Sequence, residues 1–139
     1  MAINVQFAIA VHIMAALGHH RGLQTTSKEL ARSVNTSPSF VRRVLAKLSK
    51  AGLVTTSTGK AGACWLARDA KDISLLDIYE AIDPPKAFSI HNYKEQRTCE
   101  VSCNIKSALD KALQKTQKAM ENSLDDISLA QIVSNVSKI

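Results

Sequence analysis

Two small sets of side chains in this sequence have types and spacing that suit chemistry: Cys99 with Cys103, and Ser39 with Arg42 and Arg43. Cysteines four apart on a helix place their α-carbons about 6 Å from one another, within the reach of a disulfide. Helical side-chain directions strain such a bond, and strain makes it reducible, which suits a switch. Cys103 falls near an expected helix start with Lys94 and Arg97 nearby, which favours its thiolate, while Glu100 opposes it. The alternative is that both cysteines are inert small hydrophobes. Cys64 alternates with Trp65 along an expected strand, so one of the two faces inward, and Cys64 is expected to be packed rather than reactive. A thiol enzyme would need a cysteine beside a base or a Cys-x-x-Cys pair, and the sequence offers neither. The adjacent His19 and His20 cannot easily aim both rings at one ion, so they read as a solvated pair.

The arginine set needs an element to present it. Thr26 and Glu29 have capping-box spacing, which predicts a short helix over 27–34 with Leu30, Ala31 and Val34 inward. Asn35-Thr36 makes a turn, Ser37 can cap the next helix, and Pro38 is welcome in its first turn. That helix, over 38–51, has Phe40, Val41, Val44, Leu45 and Leu48 on one face. Ser39, Arg42, Arg43, Ala46, Lys47 and Lys50 lie on the other. Two short helices joined by a tight turn, the second basic, form the arrangement that enters a DNA major groove, where arginine bonds guanine edges and serine meets phosphate or base. An amphipathic helix whose outer face is merely basic is the competing explanation. After Gly52, residues 53–57 and 63–67 read as a hairpin with Lys60 at its tip, and a basic hairpin after a helix-turn-helix is a wing.

Around this unit, residues 4–17 form an apolar helix expected to stop at Gly18. Ser74 caps another helix that ends at Asp83-Pro84-Pro85. About twenty residues then lack a period, and a long helix is expected over 104–124 with a stripe that includes Ile105, Ala108, Leu109, Ala112, Leu113, Ala119, Met120 and Leu124. It exceeds what so small a core needs, which predicts a homodimerisation helix, with a helix packed in an intramolecular bundle as the alternative. The expected divisions are a winged helix-turn-helix unit at 1–83, a cysteine-containing sensor loop at 84–103, and the dimerisation and C-terminal helices at 104–139.

Composition agrees with that division. The chain has 139 residues and a formal charge of +6. Residues 1–68 hold nine Lys and Arg against one acid, whereas 69–139 hold nine bases against eleven acids. A segregated positive field suits phosphate neutralisation, and double-stranded DNA is the expected partner. The first apolar stretch is too short to span a bilayer and has no basic lead, so no membrane partner and a cytoplasmic location are expected. Three cysteines in such a chain do not suggest a disulfide framework.

The sequence resembles the Rrf2 family of bacterial winged-helix regulators over nearly its whole length. The motifs behind this are Leu30-Ala31 with Val34, Ser39-Phe40-Val41, Val44-Leu45 with Leu48, Ala51-Gly52-Leu53-Val54, Gly62 before Leu66-Ala67-Arg68, and Ile73 to Ile82. The family includes iron–sulfur regulators, nitric-oxide-sensitive repressors, cysteine-metabolism repressors and thiol-based oxidant sensors. The resemblance implies a mainly α fold with a small β wing, no enzymatic activity, and a homodimer bound to a pseudo-palindromic promoter site, with repression expected. Ser39, Arg42 and Arg43 match the family's base-reading positions. Ser37, Lys47, Lys50 and Lys60 complete the expected DNA contacts, and Cys99 and Cys103 are the expected redox or nitrosative sensors. The sequence departs from the family pattern in three places. Ala63 and Cys64 replace part of the wing's usual glycine-rich and aromatic run, and Thr58 stands where some members carry a minor-groove arginine. The loop has two cysteines where cluster-binding members have three. No cofactor is therefore expected; were an iron–sulfur cluster bound, Cys99, Cys103 and His91 would hold it. A small-molecule-sensing or a non-sensing repressor stays open.

Overall fold

The computed structural model describes residues 5–20, 23–57 and 62–137. It contains α1 (Val5–His19), β1 (Thr25–Thr26), α2 (Ser27–Val34), α3 (Pro38–Lys50), β2 (Val54–Thr56), β3 (Ala63–Leu66), α4 (Leu75–Ala81), α5 (Glu100–Asp125) and α6 (Leu129–Ser137). The expected mainly helical winged helix-turn-helix, with a small sheet and a long helix toward the C-terminus, is the fold observed.

The caps read from the sequence fix the helix-turn-helix. Thr26 accepts the amide of Glu29 and Ser37 that of Phe40, each such cap contributing about 1 kcal/mol. Asn35 ends α2 in the left-handed conformation at φ 65°, which its short polar side chain tolerates, and this sharp exit turns the chain into α3. Val41, Val44, Leu45 and Leu48 then pack inward with Leu30, Ala31, Ile13 and Met14 in one core.

The sheet has the order β1-β3-β2, all antiparallel. Thr25 pairs with Cys64 and Thr26 with Ala63, while Thr55 pairs with Trp65. Two residues are too few to leave a period in sequence, so β1 had no signal of its own. The expected return strand 63–67 ends one residue earlier, at Leu66.

Two helix ends differ from expectation for physical reasons. The first helix does not stop at Gly18 but runs through it to His19, and Gly18 is buried. A Cβ there would lie 2.8 Å from Val133 Cγ2, so the glycine serves the close approach of α6 to α1 rather than a helix end. The long helix starts at Glu100 rather than 104, because Cys99 caps it: the Cys99 sulfur accepts the amide of Ser102 at 3.4 Å. Its 26 residues span about 39 Å. Residues 129–137, grouped in sequence with that helix, fold back onto α1, and Leu129 is fully buried in the common core. Backbone bonds from Leu75 N to Ile127 O and from Leu129 N to Ile73 O, both 2.8 Å, pin the α5–α6 junction to the start of α4.

Candidate nucleic-acid interface and sensor loop

The outer face of α3 carries the residues expected to meet DNA. Ser37, Ser39, Arg42, Arg43, Lys47 and Lys50 are all exposed on it or at its cap. Their chemical situations differ. Ser37 Oγ already accepts the Phe40 amide, leaving its hydroxyl proton free to donate. Arg43 stacks over the Phe40 ring at 5.4 Å, an arrangement that holds the guanidinium without satisfying its donors. Lys47 turns back from the outer face, its Nζ donating to the carbonyl of Ile82 at 3.5 Å, and so ties α3 to the end of α4. Lys50 sits in the last turn, where a cation also suits the helix dipole. Among the described residues the one ion pair is Arg68 with Asp77 at 3.9 Å, so no carboxylate competes for Arg42, Arg43 or Lys50. Lys60, expected from the sequence at the hairpin tip, and Thr58 lie outside the described residues.

A second constellation surrounds the start of α5. Residues 83–98 contain no helix or strand and end in a knot of local bonds. Tyr93 Oη donates to the Ser102 carbonyl, and the Gln96 amide to Ser102 Oγ at 2.9 Å. The Cys103 thiol donates to the Gln96 carbonyl at 3.5 Å. Cys99 is exposed and Cys103 half-buried, and both are free thiols. The Cys103 amide donates to the Cys99 carbonyl at 3.1 Å, the helical spacing assumed from sequence. His91 stacks on Tyr93 at 4.7 Å.

An iron–sulfur cluster normally takes four protein ligands. Among the described residues no three His, Cys, Asp or Glu side chains converge as metal ligands. Cys64 is held elsewhere, fully buried in β3 with its thiol on the Thr25 carbonyl at 3.0 Å. The donor set of Cys99, Cys103 and His91 therefore does not fit such a cluster. Burial, together with the negative charge of Glu29, pushes the Cys64 thiol up to about 11, which keeps it protonated near neutral pH.

One residue of consequence had no sequence signal. Gln117 of α5 accepts the Ala87 amide at 3.0 Å and donates to Tyr79 Oη at 3.2 Å and to Glu121 at 2.9 Å. It thus joins the irregular segment and α4 to the long helix, yet a glutamine on a helix face is ordinary in sequence.

Comparison with known proteins agrees with this geometry. The pattern of the Rrf2 family, described as iron-dependent transcriptional regulator, matches residues 3–135. A protein of Bacillus subtilis strain 168 named as an HTH-type transcriptional regulator, YwnA, is 36% identical over 135 residues, covering 96% of this chain and 98% of its own. A crystal structure described as that of a DNA-binding protein superposes with a TM-score of 0.72 at 36% identity, covering 91% of this chain and 97% of its own. A transcriptional regulator from Lactobacillus plantarum superposes at 0.82 with 25% identity, covering 96% and 91% respectively. No helix among the described residues is long and apolar enough to cross a membrane.

Proposed function

The chain belongs to the Rrf2 family of transcriptional regulators and has its DNA-binding fold, and on that premise we propose that it acts as a homodimeric repressor switched by the thiols of Cys99 and Cys103. The observation that carries the DNA-binding half is the outer face of α3, where Arg42 and Arg43 stand exposed with no carboxylate partner among the described residues. Ser39 and Arg42 read base edges in the major groove, Ser37 and Lys50 bond phosphate, and Arg43 does either from its stacked position. Lys60 reaches the backbone from the wing. Two copies place their α3 helices in successive major grooves, about 34–36 Å apart, so the operator is pseudo-palindromic. Lys47 contributes mainly by holding α3 to α4.

The switch follows from the cap. A peroxide oxidises one thiol to a sulfenic acid and is itself reduced to water; the second thiol then displaces water and closes a disulfide. That bond withdraws the Cys99 sulfur from the Ser102 amide and unwinds the first turn of α5, which the contacts of Tyr93 and Gln96 with Ser102 share. The reorientation of α5 changes the spacing of the recognition helices, which adjacent grooves tolerate poorly.

Mobility-shift titration on the chain's own promoter, reduced and peroxide-treated, tests both halves. Arg42→Ala is expected to weaken binding about 10- to 100-fold and to relax sequence preference, the loss of a bidentate base contact being about 1–3 kcal/mol. Peroxide is expected to release the wild type and leave a Cys99→Ser/Cys103→Ser variant bound. A variant that responds like wild type would remove the thiols from the mechanism while leaving the DNA face intact.

A further inference from the structure

A cavity of about 370 Å³ lies between residues 85–90 and the middle of α5, apart from the thiols and from the DNA face. Its lining combines three kinds of group. Lys86 supplies a cation at one side and has no acid paired with it among the described residues. Asp110 supplies a carboxylate, one oxygen of which accepts Gln114 Nε2 at 2.9 Å. Phe88 and Leu113 supply apolar surface, and Phe88 is 59% exposed, large for an aromatic with no partner over it. The volume is at the low end of the range of about 300–1,000 Å³ for small-molecule sites, which suits a single small metabolite.

From these groups we propose that the cavity is an effector site for an α-amino acid with an apolar side chain. The ligand carboxylate pairs with Lys86, its ammonium with the free oxygen of Asp110, and its side chain lies between Phe88 and Leu113. Opposite charges on the two sides of an apolar floor match a zwitterion, and leave a plain amine or a plain acid with one protein charge unanswered. Gln117 also lines the cavity, and through it the site is coupled to the rest of the molecule. The same side chain bonds the Ala87 amide next to Lys86 and Tyr79 in the last turn of α4, and that same end of α4 is joined to α3 by the bond from Lys47 to the Ile82 carbonyl. A ligand that draws Lys86 inward pulls on the Ala87–Gln117 bond and shifts α4 against α3. This coupling rests on the repressor reading above; the binding site does not.

Calorimetry on the full chain without DNA tests the site. The probes are L-leucine, L-phenylalanine, 3-methylbutylamine, which lacks the carboxylate, and 4-methylpentanoate, which lacks the amine. Saturable one-to-one binding of at least one amino acid is expected, with both truncated analogues about 10-fold weaker or worse, as for loss of a charge-assisted hydrogen bond. Asp110→Asn, an exposed change that keeps the helix, should weaken binding by the same factor, and Leu113→Trp should abolish it by filling the floor. No heat with either amino acid, equal affinity for the truncated analogues, or unchanged binding in both variants would overturn the proposal. A mobility shift with and without the bound amino acid then reads the coupling separately: an affinity for DNA that changes in wild type and not in Gln117→Ala supports it, and one unmoved by a ligand that calorimetry shows bound would overturn it. If the chain bound no DNA at all, the repressor reading would fall and the calorimetric result would stand.

Discussion

Cys64 and Cys99 are the same residue in opposite circumstances. Cys99 ends its side chain in solvent at a helix cap, and Cys64 is sealed in the middle strand of the sheet with its thiol on the Thr25 carbonyl. The pKa of about 11 for Cys64 has a consequence for stability. In the unfolded chain the thiol ionises near 9, while in the folded one it stays neutral to about 11, so above pH 9 the unfolded state sheds its proton first. The contribution is fully present below about pH 9 and is lost as the pH rises through about 11; two pH units correspond to at most roughly 2–3 kcal/mol. Urea unfolding between pH 8 and 11 should therefore fall more steeply for wild type than for Cys64→Ala, whose stability is lower at pH 8 but flatter. Parallel curves would mean that the thiol ionises without cost. The alternation of Cys64 with Trp65 made one of them face inward, and a packed Cys64 is what the sequence favours; the structure adds its partner, the Thr25 carbonyl of the neighbouring β1.

At the scale of elements, the segments with strong local codes are where the sequence placed them. Thr26, Ser37 and Ser74 are the caps they were expected to be, and Ser74 with Asp77 forms a full capping box. Gly18 shows the limit of such codes, since the residue type that ends helices also allows two helices to touch. Its role makes a definite forecast. Gly18→Ala gains about 1 kcal/mol of helix propensity but drives a methyl into Val133, whose branched side chain cannot swing aside freely. Overpacking of this kind costs about 1–3 kcal/mol, so the single change should be neutral to destabilising. In a Val133→Ala background the clash is gone and Gly18→Ala should stabilise by up to about 1 kcal/mol. A double-mutant cycle by chemical denaturation reads this change of sign; additive effects would show that α6 does not press on Gly18 in solution. The start of α5 was misplaced by four residues for a related reason. Cysteine is not among the usual capping residues, and its sulfur acts here only because Tyr93, Gln96 and Ser102 hold the turn together.

For the whole molecule, the informative fact is that α5, the longest helix, buries no residue completely. Its inward side meets α4, yet Val101 is 68% exposed, and Ala108, Ala112 and Ala119 are exposed on neighbouring positions of the same side. Small residues along one face let a second helix approach closely, which is the support for pairing through α5. Ala112→Glu adds charge where the single chain has solvent, so it should leave the helical signal and unfolding of the protomer nearly unchanged while raising the dimer dissociation constant at least about 100-fold in sedimentation experiments. An unchanged association state would move the interface elsewhere. Operator affinity should fall with it, because the two half-sites then bind separately. The sequence by itself determined the helix-turn-helix, the basic face of α3, the hairpin and the existence of a long helix, because caps, turn residues and periodicity act over a few neighbours. Only the tertiary structure decided that the last helix returns to the first and that a two-residue strand supplies the carbonyl that takes the Cys64 thiol. It alone decided that Gln117 spans three segments and that Lys86 and Asp110 face one cavity. These depend on which distant residues share a surface, and that is set by packing of the whole core rather than by any local pattern.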